Sequence, residues 1–418
     1  MKKKLEVKRI PEKYEINSEF YPGFVKYLSQ KVFPDVIHSY FRAEIHGMEN
    51  VPDRKEGQPP RIFYSNHSGM SFPWDAIVFN SYYWEKTNYD PKRHIRAMVA
   101  PILSASKVMN PYLLEKLWKR VGGVDATMEN FEGLMNHADG DVLIYPEGVP
   151  GIGKGFDKKY QIQQFSTSFL RMAIKYKAEI IPFYTINAEY CHPFSYKNDD
   201  LNKIVQKLGI PMVPLSPLTG LIPLAPFMFY MSLPVKMVFV VGKPIKVYER
   251  FGDRNIESIK RQEIIELRNE VQSEYQKEIN RLVDIYGNDP YEFSGLLQSI
   301  QDNPEVTSRI SPAAWPFLMT HAYRVFFEGQ REVENFDLEG LIEIIKMNPD
   351  VLTFLTPFIG WPLLLLLKGI HIEPPHEDDR VDKSLGIQKA YFSHGTYVGP
   401  ERRMKVRDVK FDRRRPLT

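Results

Sequence analysis

Three side chains stand where proton chemistry can be done. His67 follows the apolar run Arg61-Ile62-Phe63-Tyr64 by three residues. Asp75 follows it in Pro73-Trp74-Asp75, with seven residues between the two. Glu147 closes a second apolar run in Tyr145-Pro146-Glu147-Gly148. A histidine titrates near neutral pH and removes a proton from a hydroxyl, while a carboxylate on its other nitrogen fixes the tautomer. The same spacing also fits a loop histidine beside a helix-capping aspartate, because Asp is favoured at helix starts. Cations follow Glu147 in Gly151-Ile152-Gly153-Lys154-Gly155 and at Lys158 and Lys159. That loop looks superficially phosphate-binding, but it follows Pro-Glu-Gly rather than opening a helix directly.

Other chemistries are excluded by motif. The chain has no Gly-x-Ser-x-Gly nucleophile elbow, no Gly-x-x-x-x-Gly-Lys-Ser/Thr phosphate loop and no Gly-x-Gly-x-x-Gly turn. No Cys/His set has metal spacing, so no metal is expected. A histidine base with an acid partner, a carboxylate at another strand end, lysines and apolar surfaces suit one task. They suit activation of a hydroxyl for attack on an acyl carbonyl, without a protein-bound acyl intermediate.

The elements that must position these groups alternate. Strands are predicted around 43–51, 61–64, 95–100, 141–145, 179–187 and 236–241. Helices are predicted at 76–84, 112–119, 128–137, 165–176 and 256–286, the last with apolar residues at three–four spacing. Alternation of this kind predicts an α/β sheet with its site at the strand ends, where His67 and Glu147 can converge. Residues 20–40 read as two short amphipathic helices, packed on the domain or lying in a membrane interface.

Two uncharged runs stand apart. Residues 210–235 are long enough to span a bilayer, but they hold six prolines, which break helices. They are expected to form a folded excursion that covers the core or dips into one leaflet. Residues 351–367 are broken by Pro357, Gly360 and Pro362 and end in five leucines, buried all round or in lipid.

The chain has 418 residues, enough for one large domain and a further one. Its net charge is only +3, but residues 1–13 hold six Lys/Arg against two acids and residues 401–418 hold eight against three. Basic ends suit an anionic membrane surface or nucleic acid. One cysteine, Cys191, excludes an intrachain disulfide and fits a reducing compartment, and no secretory signal is visible at the N-terminus.

Taken together, His46-Gly47-Met48-Glu49-Asn50-Val51-Pro52, Asn66-His67…Asp75, Gly122-Gly123-Val124, Tyr145-Pro146-Glu147-Gly148 and Ile181-Pro182-Phe183 resemble, in order, motifs of the glycerolipid (lysophospholipid) acyltransferase superfamily. That superfamily includes the 1-acylglycerol-3-phosphate acyltransferases, and the resemblance covers residues 46–248. It implies a mixed central sheet with helices on both sides; after Gly287-Asn288-Asp289-Pro290 the pattern changes, and a mainly helical C-terminal appendage is expected. The implied division is an interfacial segment at 1–55, an acyltransferase domain at 56–288 and an extension of unknown role at 289–418. It implies His67 as base and Asp75 as its orienter. Asn66, Ser68, Gly123, Glu147, Gly148 and Lys154 would contact substrate, with Glu147 and Gly148 on the acceptor head group and Pro182 on the acyl-donor side. It implies a lipid acceptor, an acyl thioester donor (acyl-CoA or acyl-carrier protein), no cofactor, no nucleic acid, and monotopic attachment to the cytoplasmic face of a membrane.

The chain departs from the family in two ways. The commonest form has four residues between His and Asp, not seven. The arginine usual two residues after Glu-Gly is replaced by Pro150, and the second motif shows no obvious arginine. Arg120, Lys154, Lys158 and Lys159 are the candidates to supply the missing charge. A degenerate lipid-binding protein and a lipid hydrolase remain as alternative readings.

Overall fold

A computed structural model describes Ile16 and residues 19–368, apart from 71, 138, 139, 207 and 208, together with two short strands at Tyr391–Ser393 and Thr396–Val398. The basic ends at 1–13 and 401–418 lie outside the described residues. A sheet of seven strands organises the molecule: β1 Glu44–His46, β2 Ile62–Tyr64, β3 Ile95–Val99, β4 Val124–Asp125, β5 Asp141–Ile144, β6 Ile180–Ile186 and β7 Val238–Val241. Their order across the sheet is β1-β7-β6-β2-β5-β3-β4. β2 to β6 are parallel, while β7 is antiparallel to β6 and parallel to β1. The sheet is therefore mixed.

β2 lies at the centre between β5 and β6, and every residue of these three strands is buried. This is why their sequences are continuous apolar runs rather than alternating ones. Period two still sorts the side chains. Phe63, Ile181 and Phe183 enter one core, whereas Ile62, Tyr64, Ile180, Tyr184 and Ile186 enter the other.

The first core is closed by α1 Pro22–Tyr27 and two further helical turns, Leu28–Val32 and Val36–Tyr40. It also takes α2 Trp74–Lys86 and C-terminal helices including Trp315–Glu328 and Gly360–Lys368. Phe79 of α2 stacks on Phe183 of β6 with centroids 3.7 Å apart and planes 5° from parallel. Each such buried ring contributes about 1.5–3 kcal/mol. The second core is closed by the helices Met128–His137, Ser168–Tyr176 and Arg261–Tyr286.

One expectation with two branches is narrowed, and two others change. The segment at 20–40 is packed on the domain, with Phe24, Leu28, Val32, Val36 and Ile37 buried, because its apolar stripe meets α2 and the C-terminal helices. The boundary drawn at 55/56 cuts the sheet, since β1 precedes it and pairs with β7. The helix expected at 112–119 is two pieces, Pro111–Leu113 and Leu117–Arg120, separated where Tyr112, Leu113 and Lys116 take positive φ.

Candidate active site

Parallel neighbours carry their C-terminal ends to the same rim, so β2 and β5 deliver His67 and Glu147 together. Asp75 sits in the first turn of α2, fully buried. Its Oδ2 lies 2.9 Å from His67 Nδ1 and accepts from the Ser68 amide at 3.0 Å. A carboxylate on Nδ1 leaves the proton there and turns Nε2 into the acceptor. The imidazole stacks on Tyr145 at 4.2 Å and borders a cavity of about 1330 Å³. Seven intervening residues still close the pair, because the loop turns back at Gly69 and Met70, both with positive φ.

Glu147 is buried, and its carboxylate is already engaged. Oε1 accepts from the His67 amide at 2.9 Å and Oε2 from the Gln163 amide at 2.5 Å. It ties the His67 loop to the next one. Burial raises its pKa, against the pull of Lys154 and the two amides. Gly148 follows at φ 60°, ψ −152°, a conformation essentially reserved for glycine. A side chain at Gly151 would come within 2.5 Å of Glu147 Cβ.

Lys154 is the largest change from the expected picture. It is not on a solvated loop, since its side chain is completely enclosed and Nζ lies 3.1 Å from Glu189 Oε1. Burial alone would lower its pKa, but Glu189 and Glu147 outweigh that, and the net shift is upward. A lysine so neutralised is not free to bind an acceptor phosphate. Glu189 was missed by motif reading, although it too stands just beyond a strand end, that of β6.

Asn66, Ser68 and Pro182 are corrected as well, because none borders the cavity. Asn66 mimics a strand residue. Its amide group exchanges hydrogen bonds with the backbone of Thr185 at 3.0 Å each way, and its N–H donates to the Tyr275 hydroxyl at 2.9 Å. The Ser68 side chain is buried beside Asn66. Pro182 lies inside β6 opposite Tyr64, against Gly242. Gly123, Glu147, Gly148 and Lys154 do border the cavity. Arg120 does not: its guanidinium covers the rings of Phe327 and Tyr323 at 3.9 and 4.6 Å.

The cavity itself has two characters. Toward the first core it is walled by Leu28, Val32, Trp74, Ile77, Trp118 and Trp315. Toward the second it meets Lys158, Arg171, Arg261 and Arg268. The same cavity that His67 borders thus offers walls for an apolar chain and for an anionic group. Among the described residues, no group of three or more His, Cys, Asp or Glu has metal-binding geometry.

Residues 42–186, which hold this pair and its supporting loops, match the family model described as Acyltransferase. This stretch is therefore similar to acyltransferase domains. The chain is also similar to curated proteins of Mycobacterium tuberculosis and Mycobacterium bovis, uncharacterized proteins that are 27% identical over 228 residues, or 54% of this chain and 58% of theirs. An uncharacterized protein of Mycobacterium leprae is 27% identical over 209 residues, 50% of this chain and 52% of its own. The chain thus spans little more than half the length of these relatives. Among solved structures, the 1-acyl-sn-glycerophosphate acyltransferase PlsC of Thermotoga maritima is similar with a TM-score of 0.33 and 12% identity, over 62% of this chain and 77% of that one.

Proposed function

We propose that the protein transfers a fatty acyl group from an acyl thioester, acyl-CoA or acyl-carrier protein, to a hydroxyl of a glycerolipid or related lipid at a membrane surface. The observation that carries this reading is a histidine with Nδ1 on a buried carboxylate and its ring on the wall of a large, mainly apolar cavity. His67 Nε2 takes the acceptor hydroxyl's proton as that oxygen bonds to the thioester carbonyl carbon. The tetrahedral intermediate collapses, the C–S bond breaks, and the leaving thiolate recovers the proton from the imidazolium. Asp75 holds the ring and stabilises its charged form. No cofactor enters these steps.

The acceptor side is where this chain departs from the pattern of the family it resembles. Proline at 150 offers no donor, and Lys154 is spent on Glu189. Arginine is the usual phosphate partner because its fork matches the oxygens. Any phosphate would therefore be met from the part of the cavity bordered by Lys158, Arg171 and Arg261.

The test is transfer from labelled acyl-CoA to lysophosphatidate, lysophosphatidylcholine, monoacylglycerol, diacylglycerol and a long-chain alcohol. Free fatty acid is measured alongside. Esterified label in at least one acceptor is expected. Release of fatty acid alone makes the protein a hydrolase. If lysophosphatidate is the best acceptor, Arg171→Ala should lower its rate more than that of the neutral acceptors.

A further inference from the structure

The two uncharged runs, 134 to 139 residues apart along the chain at their points of contact, dock on each other. Trp361 Nε1 donates to the Ile222 carbonyl at 2.8 Å, and the Phe358 amide donates to the Leu224 carbonyl at 2.9 Å. Gly360 lies against Pro226, where a side chain would come within 2.8 Å of the proline ring. Phe229, Val351, Phe354 and Leu364 turn inward and join the first core. The outer side is bare: Phe358 is 72% exposed, Leu366 82% and Leu367 66%, with Ile359 also exposed.

We infer that this joined surface, and not a spanning helix, is where the protein enters a lipid bilayer, and that the acceptor passes from the bilayer to His67 beside it. The inference rests on the acyltransferase reading only for its second half. Four observations choose lipid over a protein partner or a second copy. Neither run carries a charge within it; the charges stand only at the edges, at Lys236, Asp350 and Lys368. The hydrogen bonds between the runs satisfy backbone and indole groups internally, as hydrocarbon requires. Met212 and Phe229, from the first run, border the cavity that holds His67, so the surface is continuous with the site. The chain that continues beyond the leucines ends with eight Lys/Arg against three acids, the complement of an anionic leaflet. Among the described residues, no helix is long and apolar enough to cross a membrane. Insertion from one side is the geometry left to such a surface.

The experiment uses the full chain and sedimentation with vesicles of three parts phosphatidylcholine to one part phosphatidylglycerol. Wild type is compared with Leu366→Glu/Leu367→Glu and with Phe358→Asp, while thermal midpoint and sedimentation velocity without lipid are recorded. Expected are at least a tenfold lower vesicle partition for the double variant, a smaller loss for Phe358→Asp, and an unchanged midpoint. Turnover of a short-chain, water-soluble acceptor should stay at wild-type level while that of a vesicle-embedded acceptor falls. Equal partition of wild type and double variant overturns the inference. So does a lowered midpoint with unchanged partition, which would make the leucines an internal contact, or a lipid-free dimer abolished by the substitutions. Vesicle binding that depends on these leucines in a protein without acyl transfer leaves the surface standing and removes the catalytic reading alone.

Discussion

At the strand ends, Asp75, Glu147, Lys154 and Glu189 are packed into one enclosed cluster behind His67, which borders the cavity, whereas the runs at 210–235 and 351–367 contain no ionisable side chain except the buried, high-pKa Tyr230. Both regions close over polar groups that water would otherwise satisfy. The cluster does so by pairing charge with charge and carboxylate with amide. The runs do so by sharing backbone carbonyls with a neighbouring amide and indole. The contrast shows how unequally the two tolerate change. Removing one member of the cluster strands the others in low dielectric, while removing an outer leucine from the runs strands nothing.

The most severe break is at the base. His67→Ala is expected to lower acyl transfer by about 10²–10⁴-fold, the usual worth of a positioned general base. The fold should survive, because the side chain borders a cavity. Asp75→Asn should cost less, since Asp75 acts through His67. Single-turnover rates of the two purified variants check both. Retention of more than a tenth of wild-type turnover by His67→Ala would remove the base assignment.

Next in size is the ion pair. Lys154→Met leaves Glu189 uncompensated and takes away the cation nearest Glu147, so it is expected to destabilise the protein by about 3–5 kcal/mol. Adding Glu189→Gln should return a substantial part of that loss, because a neutral pair is easier to bury than a lone charge. Urea denaturation of the two single variants and the double gives the coupling directly. If Lys154→Met is nearly neutral, the cluster is not held by this pair.

The comparison also explains what the sequence could and could not reveal. Residues that chemistry fixes in the chain's own order were legible: His67 and Glu147 each follow an apolar strand, and adjacent parallel strands must bring them to one rim. Asp75 was legible as the first acid on the next helix. What escaped was set by contacts between distant segments. Nothing near Lys154 announces Glu189, and Asn66 looks like a substrate ligand until Thr185 and Tyr275 take its hydrogen bonds. Pro182 sits beside Phe183 in a familiar motif, yet a seven-residue strand buried throughout puts it inside the sheet. Likewise, no periodicity in either uncharged run shows that the two will meet.

The smallest effect links the two regions. His192 is buried just beyond β6, and its Nε2 lies 2.8 Å from the Met231 carbonyl, so it fastens the first uncharged run to the end of the sheet. Burial lowers its pKa to about 4, only partly offset by that carbonyl. In the unfolded chain the group titrates near 6.5. Between those values the unfolded state binds more protons than the folded one, so stability falls as pH falls, and the loss levels off below about pH 4. From one pKa unit per 1.36 kcal/mol, this group alone should cost about 1.4 kcal/mol by pH 5.5 and about 3.4 kcal/mol once the pH is well below 4. His192→Gln keeps a donor for Met231 without a titrating ring, and it should flatten that part of the curve while leaving vesicle partition at neutral pH unchanged. Urea midpoints at half-unit steps from pH 7 to pH 4.5, wild type against variant, measure the difference. Parallel curves would show that His192 titrates alike in both states, and that the run is held to the sheet without the neutral imidazole.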